Sequence, residues 1–155
     1  MRIGIGFDIH RLVTGRDLTL GGIKIPHPKG LLGHSDGDVL LHALCDALLG
    51  AVGAGDIGSY FPDTDPQWKG AASSLFLEKA TELTFRRSLR VTNVDAVILA
   101  EEPKLSPHRN AIQMSVARML QVKSDRINVK AKTMEKLGPI GEGEAIAAYA
   151  VVLLE

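Results

Sequence analysis

Asp8, His10 and His42 carry the donor types best suited to chemistry in this chain, at spacings that regular structure would bring to one side. In Gly4-Ile5-Gly6-Phe7-Asp8-Ile9-His10 successive side chains alternate between two faces of a strand, one greasy and one nearly bare. Asp8 and His10 project from the bare face, beside Gly4 and Gly6. Glycine weakens a strand interior unless a ligand or another element must come close, so the bare face is expected to receive one. The stretch His34-Ser35-Asp36-Gly37-Asp38 leads into the element that could do so. From about Asp38, Leu41, Leu44, Cys45 and Leu48 recur at helical spacing, while Asp38, His42 and Asp46 lie four apart on a different face. Asp36 or Ser35 is the expected N-cap and Gly50 the stop. A lone histidine on such a helix is also what a hydrogen-bonded core residue looks like. Joined to Asp8 and His10, it completes an Asp-His-His set of borderline-soft character, suited to zinc or another divalent transition metal. Three protein ligands leave one position open, the mark of a catalytic site in which the ion acts as a Lewis acid on a substrate oxygen.

A second polar cluster is Lys132-Thr133-Met134-Glu135 at a predicted strand end. Hydroxyl and ammonium groups suit phosphate oxygens, and a carboxylate suits a hard cation such as magnesium. A capped strand end with a surface Glu-Lys pair has the same composition. Between the clusters, residues 53–66 hold glycines, prolines and carboxylates without a hydrophobic period. Asx-turns before Pro66 would account for Asp63 and Asp65, although a loop of this length in a compact domain is usually functional or mobile.

The elements that must position these groups follow from periodicity. Leu18 to Ile25 reads as a hairpin around Gly21-Gly22, Ala71 to Arg87 as an amphipathic helix, and Val91 to Ala100 as a buried strand ended by Pro103. Ser106-Pro107 is a cap followed by proline at the first helical position, predicting a helix to about Val122. Ile127 to Thr133 and Ala145 to Leu154 are two further strands. The expected fold is α/β, close to a two-layer α+β sandwich. It has a mixed four-stranded sheet, a small N-terminal hairpin and helices on one face, in a single domain over residues 1–155.

Composition narrows the function classes. The chain has 45% hydrophobic and 23% charged residues, as ordinary globular domains do. Its formal net charge is zero, so no bulk field attracts nucleic acid or an anionic membrane. The lone Cys45 cannot form an internal disulfide and reads as a small buried hydrophobe in a reducing compartment. No apolar run is long enough to span a bilayer, and the N-terminus opens directly into a strand pattern.

The motifs together carry a resemblance. Gly6-Phe7-Asp8-Ile9-His10, His34-Ser35-Asp36-Gly37-Asp38 with His42, Gly55-Asp56-Ile57-Gly58 with Phe61-Pro62-Asp63-Thr64-Asp65-Pro66, and Lys130-Ala131-Lys132-Thr133-Met134-Glu135-Lys136 resemble the 2-C-methyl-D-erythritol 2,4-cyclodiphosphate synthase family from Arg2 to Leu154, in order. The resemblance implies conversion of 4-diphosphocytidyl-2-C-methyl-D-erythritol 2-phosphate to the cyclic diphosphate and CMP, by attack of the 2-phosphate on the β-phosphate. It implies zinc on Asp8, His10 and His42, and magnesium or manganese held by Glu135 with the substrate phosphates. His34 and Ser35 would orient the 2-phosphate end, Phe61, Asp63 and Asp65 the sugar alcohol, and Asp56 and Gly58 the ribose. Backbone from Ala100 to Ser106 would read cytosine, with Lys104 and Thr133 near the phosphates and His34 and Thr133 assisting the chemistry. Asp38 and Asp46 would accept from ligand imidazoles. The family assembles as homotrimers with active sites between subunits, acting on a small cytidine diphosphate substrate with no nucleic-acid or membrane partner. It works in bacterial cytoplasm, or in the plastid stroma after removal of a transit peptide. Lys132 stands where many relatives have threonine, adding a phosphate contact or facing solvent, and Pro139 and Glu142 stand where many bacterial relatives have phenylalanine and arginine. A phosphoesterase using metal-activated water and a noncatalytic nucleotide-binding module with a structural metal are the competing readings.

Overall fold

The computed structural model describes residues 1–155. Strand β1 (Arg2–Thr14) runs on past His10, because Leu12, Val13 and Thr14 pair antiparallel with a short strand. β2 (Leu18–Leu20) and β3 (Ile23–Ile25) form the expected hairpin, turning through Gly21 and Gly22 at φ 60° and 74°, a left-handed pair that glycine adopts without strain. β4 (Lys29–Leu31) is that short partner of β1. It makes the main sheet five-stranded rather than four-stranded. Three residues without alternation left no strand signal in the sequence.

Helix α1 (Val39–Ala51) follows, then the short α2 (Ile57–Tyr60) and a 3-10 turn at Pro66–Trp68 inside the acidic loop, and α3 (Ser73–Arg86). β5 (Val91–Leu99), α4 (Arg109–Met119), β6 (Ile127–Lys132), the short α5 (Gly138–Gly141) and β7 (Ala145–Leu154) complete the chain. The sheet order is β4-β1-β7-β5-β6. Only β5 and β6 are parallel, and α4 supplies the crossover that a parallel pair requires.

Two helix starts differ from expectation. Asp38, not Asp36 or Ser35, caps α1, with its carboxylate accepting from Leu40 and Leu41 N–H and also from Gly21 and Gly22 in the hairpin turn. The one carboxylate therefore ties the hairpin to the helix. α4 begins at Arg109 rather than at Pro107, because His108 N–H closes a turn onto the carbonyl of buried Leu105 and consumes Ser106 and Pro107.

The strand faces are arranged against the usual rule that the greasy side goes inward. Gly4 and Gly6 are buried, while Ile3, Ile5, Phe7 and Ile9 are exposed, Ile3 at 70% and Ile5 at 69%. The bare side receives α1, as expected from the glycines: a Cβ on Gly4 would stand 1.9 Å from the Ala47 carbonyl oxygen, and one on Gly6 the same distance from that of Ala43. α1 is thus the centre of the core, packed on β1 and β7 on one side and on α3 on the other. Cys45 is fully buried on it, a small hydrophobe whose thiol faces the Phe76 carbonyl.

Candidate active site

The close approach of α1 to β1 decides where His42 sits. Asp8 Oδ2 lies 2.8 Å from His42 Nδ1 and 3.0 Å from His10 Nε2, and the two nitrogens are 3.2 Å apart. Donors about 2.1 Å from a tetrahedral ion stand roughly 3.4 Å from one another, so this slightly tighter triangle is close to a zinc-type coordination face. The opposite nitrogens are already occupied. His10 Nδ1 faces the Leu32 carbonyl at 2.6 Å, which accepts its proton and turns Nε2 inward. His42 Nε2 faces the hydroxyls of Ser73 at 2.8 Å and Ser35 at 3.1 Å. A carboxylate and two imidazole lone pairs therefore converge on one point, and a divalent cation satisfies all three.

Electrostatics agree with a site built for positive charge. Burial raises the Asp8 carboxyl, but hydrogen bonds and positive charge from His10 and His42 outweigh it and hold the group far below the usual carboxylate range. Burial lowers His10, yet the Asp8 carboxylate and the Leu32 carbonyl leave it above the ordinary imidazole value.

The triad opens into a cavity of about 470 Å³ whose lining includes His34, Ser35, Asp46, Gly58, Phe61 and Asp63. Its apolar wall is an aromatic stack: Phe61 lies 4.4 Å from Phe76 and 5.1 Å from Trp68 between ring centroids, and His42 packs against Phe76. His34 Nε2 donates to the Asp65 carbonyl at 3.2 Å, fixing the ring at the rim. Asp65 and Asp56 each spend the side chain on a local cap, Asp65 on the Gln67 N–H of the 3-10 turn and Asp56 on Ser59 in α2.

The second predicted cluster lies apart from this cavity, at the ends of β5 and β6. Thr133 Oγ1 donates to Glu135 Oε1 at 2.7 Å, and Glu135 and Lys136 hold left-handed backbone, φ 51° and 63°, which turns the carboxylate back toward the strand end. Met134 N–H donates to Glu101, and Ala100 N–H to the carbonyl of Lys132. Ala100, Lys132, Thr133 and Glu135 thus gather here, with Lys104 and Ser106 on the segment that leaves β5. Lys132 and Glu142 are exposed, and Glu142 stands with Lys29, Glu101 and Glu102 in a cleft beside this cluster.

Two expectations about the metal environment are corrected. Asp38 is committed to the helix cap and the hairpin turn, and Asp46 accepts from Ile57 N–H at 2.7 Å, so neither accepts from a ligand imidazole. That contact falls to Ser35 and Ser73. Ser73 escaped notice because it opens α3, more than thirty residues from His42, with no periodic signal; the aromatic wall of Trp68 and Phe76 likewise read as ordinary helix and loop residues.

A family model for the YgbB family matches residues 1–155. The chain belongs to the YgbB family. Among curated relatives, the 2-C-methyl-D-erythritol 2,4-cyclodiphosphate synthase of Synechococcus sp. (strain JA-2-3B'a(2-13)) is 59% identical over 154 residues, 99% of this chain and 98% of that protein. The enzyme of the same name from Geobacter sulfurreducens is 56% identical over 155 residues, 100% of this chain and 99% of that one. Among solved structures, a 2C-methyl-D-erythritol-2,4-cyclodiphosphate synthase in a CDP-bound form matches with a TM-score of 0.92 at 47% identity, covering 99% of this chain and 100% of that one. The bifunctional IspDF of Campylobacter jejuni matches with a TM-score of 0.95 at 44% identity, over 99% of this chain and 42% of that protein.

Proposed function

We infer that this chain is a 2-C-methyl-D-erythritol 2,4-cyclodiphosphate synthase, closing 4-diphosphocytidyl-2-C-methyl-D-erythritol 2-phosphate into the cyclic diphosphate with release of CMP in the non-mevalonate route to isoprenoids. By bond cleavage it is a phosphorus-oxygen lyase. The observation that carries this reading is the convergence of Asp8 Oδ2, His10 Nε2 and His42 Nδ1 at the mouth of a cavity, in a chain alike over its whole length to enzymes of that name.

Asp8, His10 and His42 would hold zinc or another divalent transition metal, and Glu135 would share magnesium or manganese with the substrate phosphates. Such cations supply charge neutralisation and polarisation of phosphorus. The protein's own part is positioning. His34, its ring fixed at the cavity rim by the bond from Nε2–H to the Asp65 carbonyl, is assigned with Ser35 to orient the 2-phosphate end, while Phe61 and Asp63 enclose the methylerythritol unit. Bringing the 2-phosphate and β-phosphate of one molecule into line makes the attack unimolecular, and the nucleophile comes from the substrate, so no protein nucleophile is required. Asp56, Gly58, the backbone from Ala100 to Ser106, Lys104 and Lys132 are assigned to the cytidine and phosphates, and Thr133 to the α-phosphate side.

We assign a homotrimer with sites completed between subunits. Two features support it: the nucleotide-side cluster at Thr133 and Glu135 lies apart from the metal cavity of the same chain, and the outer sheet face of Ile3, Ile5, Phe7, Ile9 and Tyr149 is apolar and uncovered. No helix is long and apolar enough to cross a membrane, and the curated relatives named above are bacterial, which supports a cytoplasmic setting.

Phosphorus NMR of the products from the cytidyl substrate in oxygen-18 water tests the reaction. Cyclic diphosphate and CMP without solvent oxygen are expected; inorganic phosphate or a linear monoester would replace this reading with a phosphoesterase.

A further inference from the structure

The hydrogen bonds around His42 run in a fixed direction. Ser73 Oγ lies against Asp36 Oδ1, and a carboxylate only accepts, so the single hydroxyl proton of Ser73 goes to Asp36. Asp36 is held for this by Asp38 N–H at 3.2 Å on Oδ1 and Ser73 N–H at 3.2 Å on Oδ2. Ser73 Oγ is then left as an acceptor, and His42 Nε2 stands 2.8 Å away. Were Nε2 unprotonated, two lone pairs would face each other in a spot where Ser73 is fully buried and water cannot intervene. Ser35 does not change the direction: its oxygen receives Gly37 N–H at 3.1 Å, and its proton has the Ser73 oxygen as an acceptor at 3.3 Å.

We propose that Ser73, oriented by Asp36, is a positioning residue that fixes His42 as the Nε2–H tautomer and so presents the Nδ1 lone pair beside Asp8 and His10, setting the affinity of the metal site. The inference rests on the reading of those three residues as ligands. It gives the start of α3 a task that its helical role does not require. Ala71 O accepts from Asp36 N–H at 3.0 Å and Gly70 N–H donates to His34 O at 2.7 Å, so the segment before α3 is laced onto the loop before α1 and the relay is held from both sides.

The test uses the full-length protein and zinc alone. In zinc-loaded, nitrogen-15-labelled protein, His42 is expected to show a slowly exchanging Nε2–H and zinc on Nδ1. Ser73→Ala should weaken zinc binding, measured by chelator competition, about ten- to hundredfold and speed exchange of that proton, with Ser35→Ala losing less. Asp36→Asn should weaken zinc binding as well, and it decides the matter if Ser73→Ala fails to fold. Zinc found on Nε2, or affinity within about twofold of wild type in the folded Ser73→Ala or Asp36→Asn protein, would overturn the proposal. A wild-type protein that takes up no zinc overturns the ligand reading instead.

Discussion

Gly6 of β1 approaches the carbonyl of Ala43 in α1 so closely that a methyl group on Gly6 would lie 1.9 Å from that oxygen. The metal triad depends on this contact. Asp8 is two residues beyond Gly6 on the same strand face and His42 directly precedes Ala43, so the distance between backbones sets the 2.8 Å between Asp8 Oδ2 and His42 Nδ1.

Gly6→Ala is therefore expected to cost about 3 kcal/mol or more, since backbone rather than a yielding side chain occupies the space. Urea unfolding would read the stability, and zinc titration of the folded fraction should show weakened binding. A variant of wild-type stability would mean that α1 shifts freely on the sheet.

His42→Ala should abolish zinc stoichiometry and turnover while leaving a folded chain, because the ring packs at the cavity edge against Phe76 and carries no part of the sheet-helix core. Full zinc content measured by atomic absorption would remove His42 from the ligand set.

The metal-free site should show a defined pH response. Asp8 is held below its usual range, so its pairing stabilises the fold above the ordinary carboxylate pKa and is lost as pH falls through the depressed value. His10 is raised, so its share is full below the ordinary imidazole pKa of 6.5 and is lost as pH rises through the folded value. Protons and zinc compete for His10, and zinc affinity should climb about tenfold per pH unit and level off only above pH 6.5. A plateau already reached below pH 6.5 would contradict the raised value.

Glu135→Gln should lower the rate mainly at limiting magnesium, because it removes one hard oxygen ligand where the substrate phosphates supply the others. Its hydrogen bond from Thr133 survives on the amide oxygen, so stability should change little. An unchanged magnesium dependence in steady-state kinetics would take Glu135 out of that role.

Ile5→Glu places a charge on the uncovered apolar face of β1, where Ile5 is 69% exposed. Sedimentation analysis should find the wild type trimeric and the variant dissociated, with the isolated chain still folded because Ile5 takes no part in the core. A monomeric wild type would withdraw the assembly.

The sequence by itself determined the local order and the chemistry of this chain. Alternation in β1 put Asp8 and His10 on one face, the helical period put His42 on α1, and Gly4 with Gly6 announced that something must lie against them. Those signals are local, since periods of two and 3.6 residues are written into neighbouring positions. Tertiary structure decided what those signals leave open. Whether the greasy or the bare face of β1 turns inward depends on which partner arrives, and a helix seated on glycines reversed the usual choice. The joining of Ser73 to His42, the capture of Asp38 by a hairpin turn rather than an imidazole, and the addition of β4 to the sheet all link residues distant in sequence. Such links obey no period, because hydrogen-bond satisfaction in a buried cluster is settled by whichever groups folding brings within 3 Å of one another.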